Sequence, residues 1–255
     1  MTAKSFLRRL GYWTVAVWFL TSPPAAGAAT PDVGLVTDLS GEVTYWNPGE
    51  KQVPTKAQAF LKIREGDRFK LTAGAQVQLT YFASGRQETW RGPGTVEVGD
   101  QAGRGVGKEP VLSSPEVKVL AAKVTRSMAG APVAVSRATA QEGGGTQVEG
   151  EQLRSSGVIR TMGPKPASIP AAKPGPPTER DWKDMAEAEK TYQDLKRQAK
   201  TGDLTPEIYL LGVYANYGQY AKMEQLLDIM VAQRPQEARL RKLKDWAHSQ
   251  ASGNK

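Results

Sequence analysis

The chain has 255 residues, 34 of them lysine or arginine and 26 aspartate or glutamate, for a formal charge of +8. Its length holds one or two ordinary domains. The absence of cysteine excludes a disulfide framework, a thiolate nucleophile and a thiolate metal site. The charge is not distributed as in a nucleic-acid reader: residues 33–99 carry eight basic and seven acidic side chains, residues 178–250 carry twelve of each, and the excess lies in 100–177, with ten against six. A basic segment there can touch anionic headgroups or cell-wall polymer through salt-screened contacts; we read it as a solvated linker.

At the N-terminus Lys4, Arg8 and Arg9 precede the apolar run Leu10–Leu20, and Ala26-Gly27-Ala28 follows as an A-x-A cleavage site. This pattern predicts a secretory signal peptide over residues 1–28, cleaved near Ala28 or Ala29. Eleven apolar residues are too few to cross a hydrocarbon core about 30 Å thick. A periplasmic or secreted protein is expected, with no integral membrane span and a formal charge of +5 after cleavage.

From Gly34 to Gly99, short alternating runs are cut by turn residues every eight to twelve positions, the pattern of a small all-β domain built from hairpins. Val33–Leu39 and Glu42–Trp46 flank Ser40-Gly41, and Asn47-Pro48-Gly49 makes the next turn. Phe60, Leu61 and Ile63 mark an apolar point, and Glu65-Gly66-Asp67 turns into Arg68–Leu71. Thr72-Ala73-Gly74 precedes Ala75–Phe82, where Ala75, Val77, Leu79 and Tyr81 share one face and Gln76, Gln78, Thr80 and Phe82 the other. Ser84-Gly85 leads to Arg86–Trp90, and Gly92-Pro93-Gly94 to Thr95–Val98. Seven or eight such strands in this space predict a sandwich or squashed barrel.

The order of Gly41-Glu42-Val43, Glu65-Gly66-Asp67, the strand Gln76–Tyr81, Ser84-Gly85 and Pro93-Gly94-Thr95-Val96-Glu97-Val98 resembles the FecR-like domain of bacterial envelope proteins. The resemblance covers about a quarter of the chain. It implies a β-rich extracytoplasmic module that binds proteins or glycans. The founding member's transmembrane signalling is not implied, because neither a membrane span nor an anti-sigma segment is found.

Tyr45, Trp46, Tyr81, Phe82 and Trp90 fall on both strand faces, so they either stack on a sugar or a partner or fill a small core. Glu65 and Asp67 flank a turn glycine and are expected to bond the turn backbone. The run Gly103–Lys108 lacks a glycine at Ala102 and a hydroxyl at Glu109, which rules out a phosphate loop. Val111–Ser136 reads either as added strands or as a short helix around Leu120–Met128. The domain is drawn over 33–136, with its core at 34–99. From 137 to 177, glycine and proline with few bulky apolar residues predict a disordered linker.

Helical periodicity takes over at 178–250. A first helix from Thr178 or Asp181 to about Lys200 places Trp182, Met185, Ala186, Glu189, Tyr192 and Leu195 mainly on one face. Pro206 starts a second helix, with Ile208, Leu211, Tyr214 and Ala215, ending at Tyr217-Gly218. A third carries Met223, Leu226, Leu227, Met230 and Val231, and a fourth carries Leu240, Leu243 and Trp246. Within Pro206–Pro235, Leu210, Tyr214, Gly218, Tyr220, Leu227 and Pro235 resemble a tetratricopeptide repeat, departing from it at Leu211 and Met223. Such repeats bind peptides or partner helices, which makes Tyr214, Tyr217 and Tyr220 further candidates for a binding surface.

The expected fold is therefore mixed: a small all-β sandwich or barrel, a disordered linker and an α-helical tetratricopeptide-like hairpin bundle. His248 is the only histidine, so a histidine metal site or triad is not expected, and no catalytic residue, cofactor or metal is assigned. The expected function is an exported, non-enzymatic adaptor of the bacterial envelope. Its β module would contact an envelope component and its helices a protein partner, with no nucleic acid. Glycan or peptidoglycan binding by β-module aromatics is the alternative, and a carboxylate-dependent glycan-cleaving enzyme is the third reading.

Overall fold

Alternating side chains give ten short strands among the described residues, but most of the intervening turns are corners between two sheets. We describe a computed structural model of the chain over residues 31–49, 53–107, 112–133 and 176–253. The expected leader lies outside these residues, as does nearly all of the expected linker.

The strands are β1 (Asp32–Ser40), β2 (Val43–Trp46), β3 (Thr55–Lys56), β4 (Lys62–Arg64), β5 (Arg68–Leu71), β6 (Gln76–Tyr81), β7 (Arg86–Arg91), β8 (Gly94–Val98), β9 (Gly103–Val106) and β10 (Glu116–Val119). They form two five-stranded antiparallel sheets, ordered β10-β7-β6-β1-β4 and β3-β2-β5-β8-β9. The turn at Ser40-Gly41 therefore joins strands of different sheets, as do those at Glu65-Gly66-Asp67, Thr72-Ala73-Gly74 and Gly92-Pro93. Ser84-Gly85 closes a true hairpin, with Val77 opposite Trp90 and Thr80 opposite Gln87. Asp67 acts as expected at its turn: its carboxylate accepts from the Arg64 amide at 2.8 Å and from Asn47 at 2.9 Å.

Between the sheets lies an apolar layer to which Val36, Ile63, Val77, Leu79, Tyr81 and Trp90 contribute from one side and Val43, Tyr45, Phe69, Leu71, Val96 and Val98 from the other. One charge sits inside it. The fully buried Glu88 carboxylate accepts from Trp90 Nε1 at 2.9 Å and from the Gly103 amide at 3.0 Å, and pairs with Arg86. Because Gly103 belongs to the opposite sheet, Glu88 ties the two sheets together.

The ambiguous stretch after β9 resolves into both alternatives, strand β10 and helix α1 (Ala122–Ala129). Four further helices follow: α2 (Glu179–Gln198), α3 (Thr205–Asn216), α4 (Tyr220–Gln233) and α5 (Ala238–Gly253). Thr178 and Asp181 form a reciprocal capping box at the start of α2. In α2 the buried residues are Asp181, Met185 and Ala188, whereas Trp182 is about half exposed and Ala186 is exposed. Met185, Tyr192 and Leu195 face the helical cluster as expected, whereas Trp182 and Ala186 do not. Helix α3 is buried from Thr205 to Ala215, as suits a helix that is apolar nearly all round.

The two modules occur in the expected order but are not separate in space. The β1–β6–β7 sheet is covered on both faces, by the other sheet on one side and by helices on the other. Leu35 and Phe60 belong to the same apolar cluster as Val124 and Met128 of α1 and Ile208 and Leu211 of α3, whereas their neighbours Val36 and Leu61 belong to the inter-sheet layer. Phe60 adopts φ 66°, an uncommon conformation for a bulky residue that costs on the order of 1–3 kcal/mol. Its fully buried ring enters the helical cluster, and burial of a phenylalanine contributes about 1.5–3 kcal/mol in return.

Polar groups on the same sheet face are bonded rather than bare. Thr37 donates to Gln78 Oε1 at 2.7 Å and lies 3.3 Å from the Thr80 hydroxyl; Gln87 Nε2 donates to Thr80 at 3.3 Å and to Thr205 of α3 at 2.8 Å. At the margin, Arg234 pairs with Asp38, Arg239 donates to Gln58 at 2.9 Å and Thr125 donates to the Phe82 carbonyl at 3.0 Å. The described residues accordingly form one compact unit.

Gln87→Ala should cost about 1–3 kcal/mol in urea unfolding, because it strands the buried Thr205 hydroxyl. Gln87→Leu combined with Thr205→Val should cost less than Gln87→Ala alone. Strictly additive costs would show that the seam does not couple sheet and helices.

Candidate functional site

For three of the five β-module aromatics the core-filling reading holds rather than the surface one. Tyr45, Tyr81 and Trp90 are buried between the sheets, and Tyr45 stacks on Phe69 with ring centroids 5.9 Å apart. A small sandwich has few positions for bulky side chains, and these rings fill them. Burial, with the nearby Glu88 charge, holds the Tyr81 hydroxyl well above the ordinary tyrosine range. Tyr214 is also buried, with its hydroxyl donating to Glu189 at 2.9 Å and Lys222 over its ring. These four are corrections to the candidate surface.

The others are half-buried and dispersed. Trp46 ends β2, and Phe82 packs against the helical cluster. Tyr220 meets Trp246 edge-on, with centroids 5.4 Å apart. Tyr217 alone lines the largest groove described, a space of about 590 Å³.

That groove lies between α1 and α2, with α3 as its floor. On one side the floor packs closely against α1, at Gly212. A β-carbon there would lie 2.1 Å from the Ser127 carbonyl oxygen and 2.9 Å from its carbon, so only glycine lets α1 settle onto α3. Lys123 and Arg126 of α1 stand on one rim, and Asp184 and Glu187 of α2 on the other. Tyr209, Gly212, Val213 and Asn216 of α3 and Tyr217 just beyond its end also line it.

Lys123 Nζ and Glu187 Oε1 meet at 2.7 Å across the rims, with the two side chains 53% and 69% exposed. Their hydrogen bond and mutual attraction raise the lysine pKa and lower that of the glutamate. Tyr217 donates to Asp184 at 3.3 Å. Arg126 is exposed and makes no ion pair among the described residues. A second hollow of about 430 Å³, near Lys196, Lys200 and Gln233, differs in this respect, because Lys196 is engaged by the buried Glu207 and Lys200 by Glu116.

The four charged rim residues fall outside the expected surface, which contributes only Tyr217 to the groove. Lys123 and Arg126 lie in the ambiguous stretch, and Asp184 and Glu187 are not among the residues placed on the common face of the first C-terminal helix. The available signal was a matching i, i+3 spacing of cations in one helix and anions in another. Among the described residues, no cluster of three or more acidic or histidine side chains is placed to hold a metal ion. No helix there is long and apolar enough to cross a membrane.

Gly212→Ala should lower stability by about 1–3 kcal/mol in urea unfolding, by driving a methyl group into the α1 backbone. An unchanged unfolding midpoint would contradict the close approach. No family model, curated protein or solved structure matches the chain.

Proposed function

We propose that the chain is an exported, non-enzymatic binding protein of the bacterial envelope, whose helical layer recruits a protein partner through the groove between α1 and α2. The observation that carries this reading is the groove itself. It has a size suited to a bound ligand, an arginine with no ion pair among the described residues, and tyrosine and asparagine side chains able to bond a peptide backbone. The leader-like N-terminus supports export. The FecR-like pattern supports contact between the sandwich and a second envelope component, and the tetratricopeptide-like pattern supports protein recognition by the helices. Because sheet and helices pack together, the two contacts would be made by one body rather than by modules on a tether.

The reading is tested by placing a photo-crosslinking amino acid at Asn216 in the groove or, as a control, at exposed Lys70 on the outer sheet. Irradiation of intact cells should join a discrete protein to the Asn216 site, and Arg126→Glu should abolish that product. A product insensitive to Arg126→Glu, or the same product from both sites, would contradict recruitment through the groove.

A further inference from the structure

We propose that the groove takes an extended peptide segment in which acidic and basic residues alternate, its acids held by Lys123 and Arg126 and its bases by Asp184 and Glu187. The proposal rests on the recruitment reading and names the chemistry of the recruited segment.

The rims carry opposite charge in matched register. Lys123 and Arg126 are three residues apart on α1, and Asp184 and Glu187 three apart on α2, so each pair shares one helix face. Lys123 and Glu187 meet near the start of the floor, where both act on Tyr209, whereas Asp184 meets Tyr217 beyond its end. The sequence order along α2 is thus reversed relative to the floor. Ser127 lies against Gly212, so α1 advances with the floor. This order sets Arg126 opposite Asp184, one turn along from the Lys123–Glu187 pair.

The second position is nevertheless open. Arg126 has no ion-pair partner among the described residues, and Asp184 makes a hydrogen bond to Tyr217 and no ion pair there. Among the described residues the groove therefore offers a cation and an anion on opposite rims, neither of them in an ion pair. The Lys123–Glu187 bridge beside it is highly exposed and costs little to open, since exposed ion pairs are weak.

An extended chain fits this geometry because its successive side chains point to opposite sides. Alternating acidic and basic residues direct every acid to one rim and every base to the other. A blocked order such as acid-acid-base-base places one like charge against each rim, although its composition and net charge are the same. Like-charge juxtaposition is what suppresses wrong partners at an interface.

The test uses the full chain and two synthetic peptides, acetyl-Glu-Lys-Glu-Lys-amide and acetyl-Glu-Glu-Lys-Lys-amide, titrated at low salt and followed by amide chemical shifts. The alternating peptide should bind roughly tenfold or more tightly than the blocked one. Arg126→Ala and, independently, Asp184→Asn should each remove that preference; both residues are exposed, and circular dichroism confirms that the variants fold. Equal affinity for the two peptides, a preference that survives both variants, or no shift with either peptide at millimolar concentration would overturn the proposal. Free glutamate and free lysine together reproducing the shifts would also overturn it, by assigning the groove to small zwitterions. If a groove partner is crosslinked but the peptides show no preference, recruitment stands and only its chemistry fails.

Discussion

The structure depends on the contact between the outer face of the β1–β6–β7 sheet and the helices. That face is not apolar: Thr37, Gln78, Thr80 and Gln87 all point from it, and left bare beneath a helical layer each would carry a desolvation cost. Gln87 resolves this by donating to both Thr80 and Thr205, which continues the polar network across the interface. Around it, Leu35, Phe60 and partly buried Leu39 and Phe82 join the apolar cluster of the helices. The seam thus combines orientation with burial. Hydrogen bonds select where α3 begins, and apolar contacts provide most of the stabilisation.

The groove follows from that seam. With α3 fixed on the sheet and buried from Thr205 to Ala215, α1 and α2 pack along it as two rails. Thr125 pins α1 to the Phe82 carbonyl, and Gly212 lets the α1 backbone close on α3. On the other side, Met185 and Ala188 turn α2 inward, which leaves Asp184 and Glu187 at the rim. The charged rims therefore arise from which residues each rail buries.

Much of the fold was legible in the sequence, for identifiable reasons. Alternation along Ala75–Phe82 correctly separated Val77, Leu79 and Tyr81 from Gln78, Thr80 and Phe82, because both faces of that strand meet a distinct layer. The helix boundaries at Thr178, Pro206 and Gly218 carried local chemistry that tertiary contacts did not override. The turns were less legible. A glycine turn reverses the chain in the same way whether the next strand pairs with the last or crosses to another sheet, so Ser40-Gly41 and Ser84-Gly85 look alike and act differently. Periodicity also cannot say what covers a polar strand face, and the polar face of β6 gave no sign of the helices above it.

The site was the least legible part. Aromatic residues drew attention as candidate anchors, but in a sandwich of this size Tyr45, Tyr81 and Trp90 are the volume that fills the core. The groove depends on charges in α1 and α2, two segments about fifty residues apart, and on one glycine in a third. No local window contains that arrangement. It becomes visible only when packing sets Lys123 beside Glu187 and Arg126 along the same rim.

The shared core is tested most directly by cutting the chain without removing any of it. A specific protease site placed within residues 140–170 allows cleavage after folding, followed by size-exclusion chromatography in native buffer. The sheet–helix seam predicts that the two fragments elute together at the volume of the intact protein and part only in denaturant. Fragments that separate in native buffer, each retaining its own secondary structure, would show that sandwich and helices are independent bodies and would contradict the account.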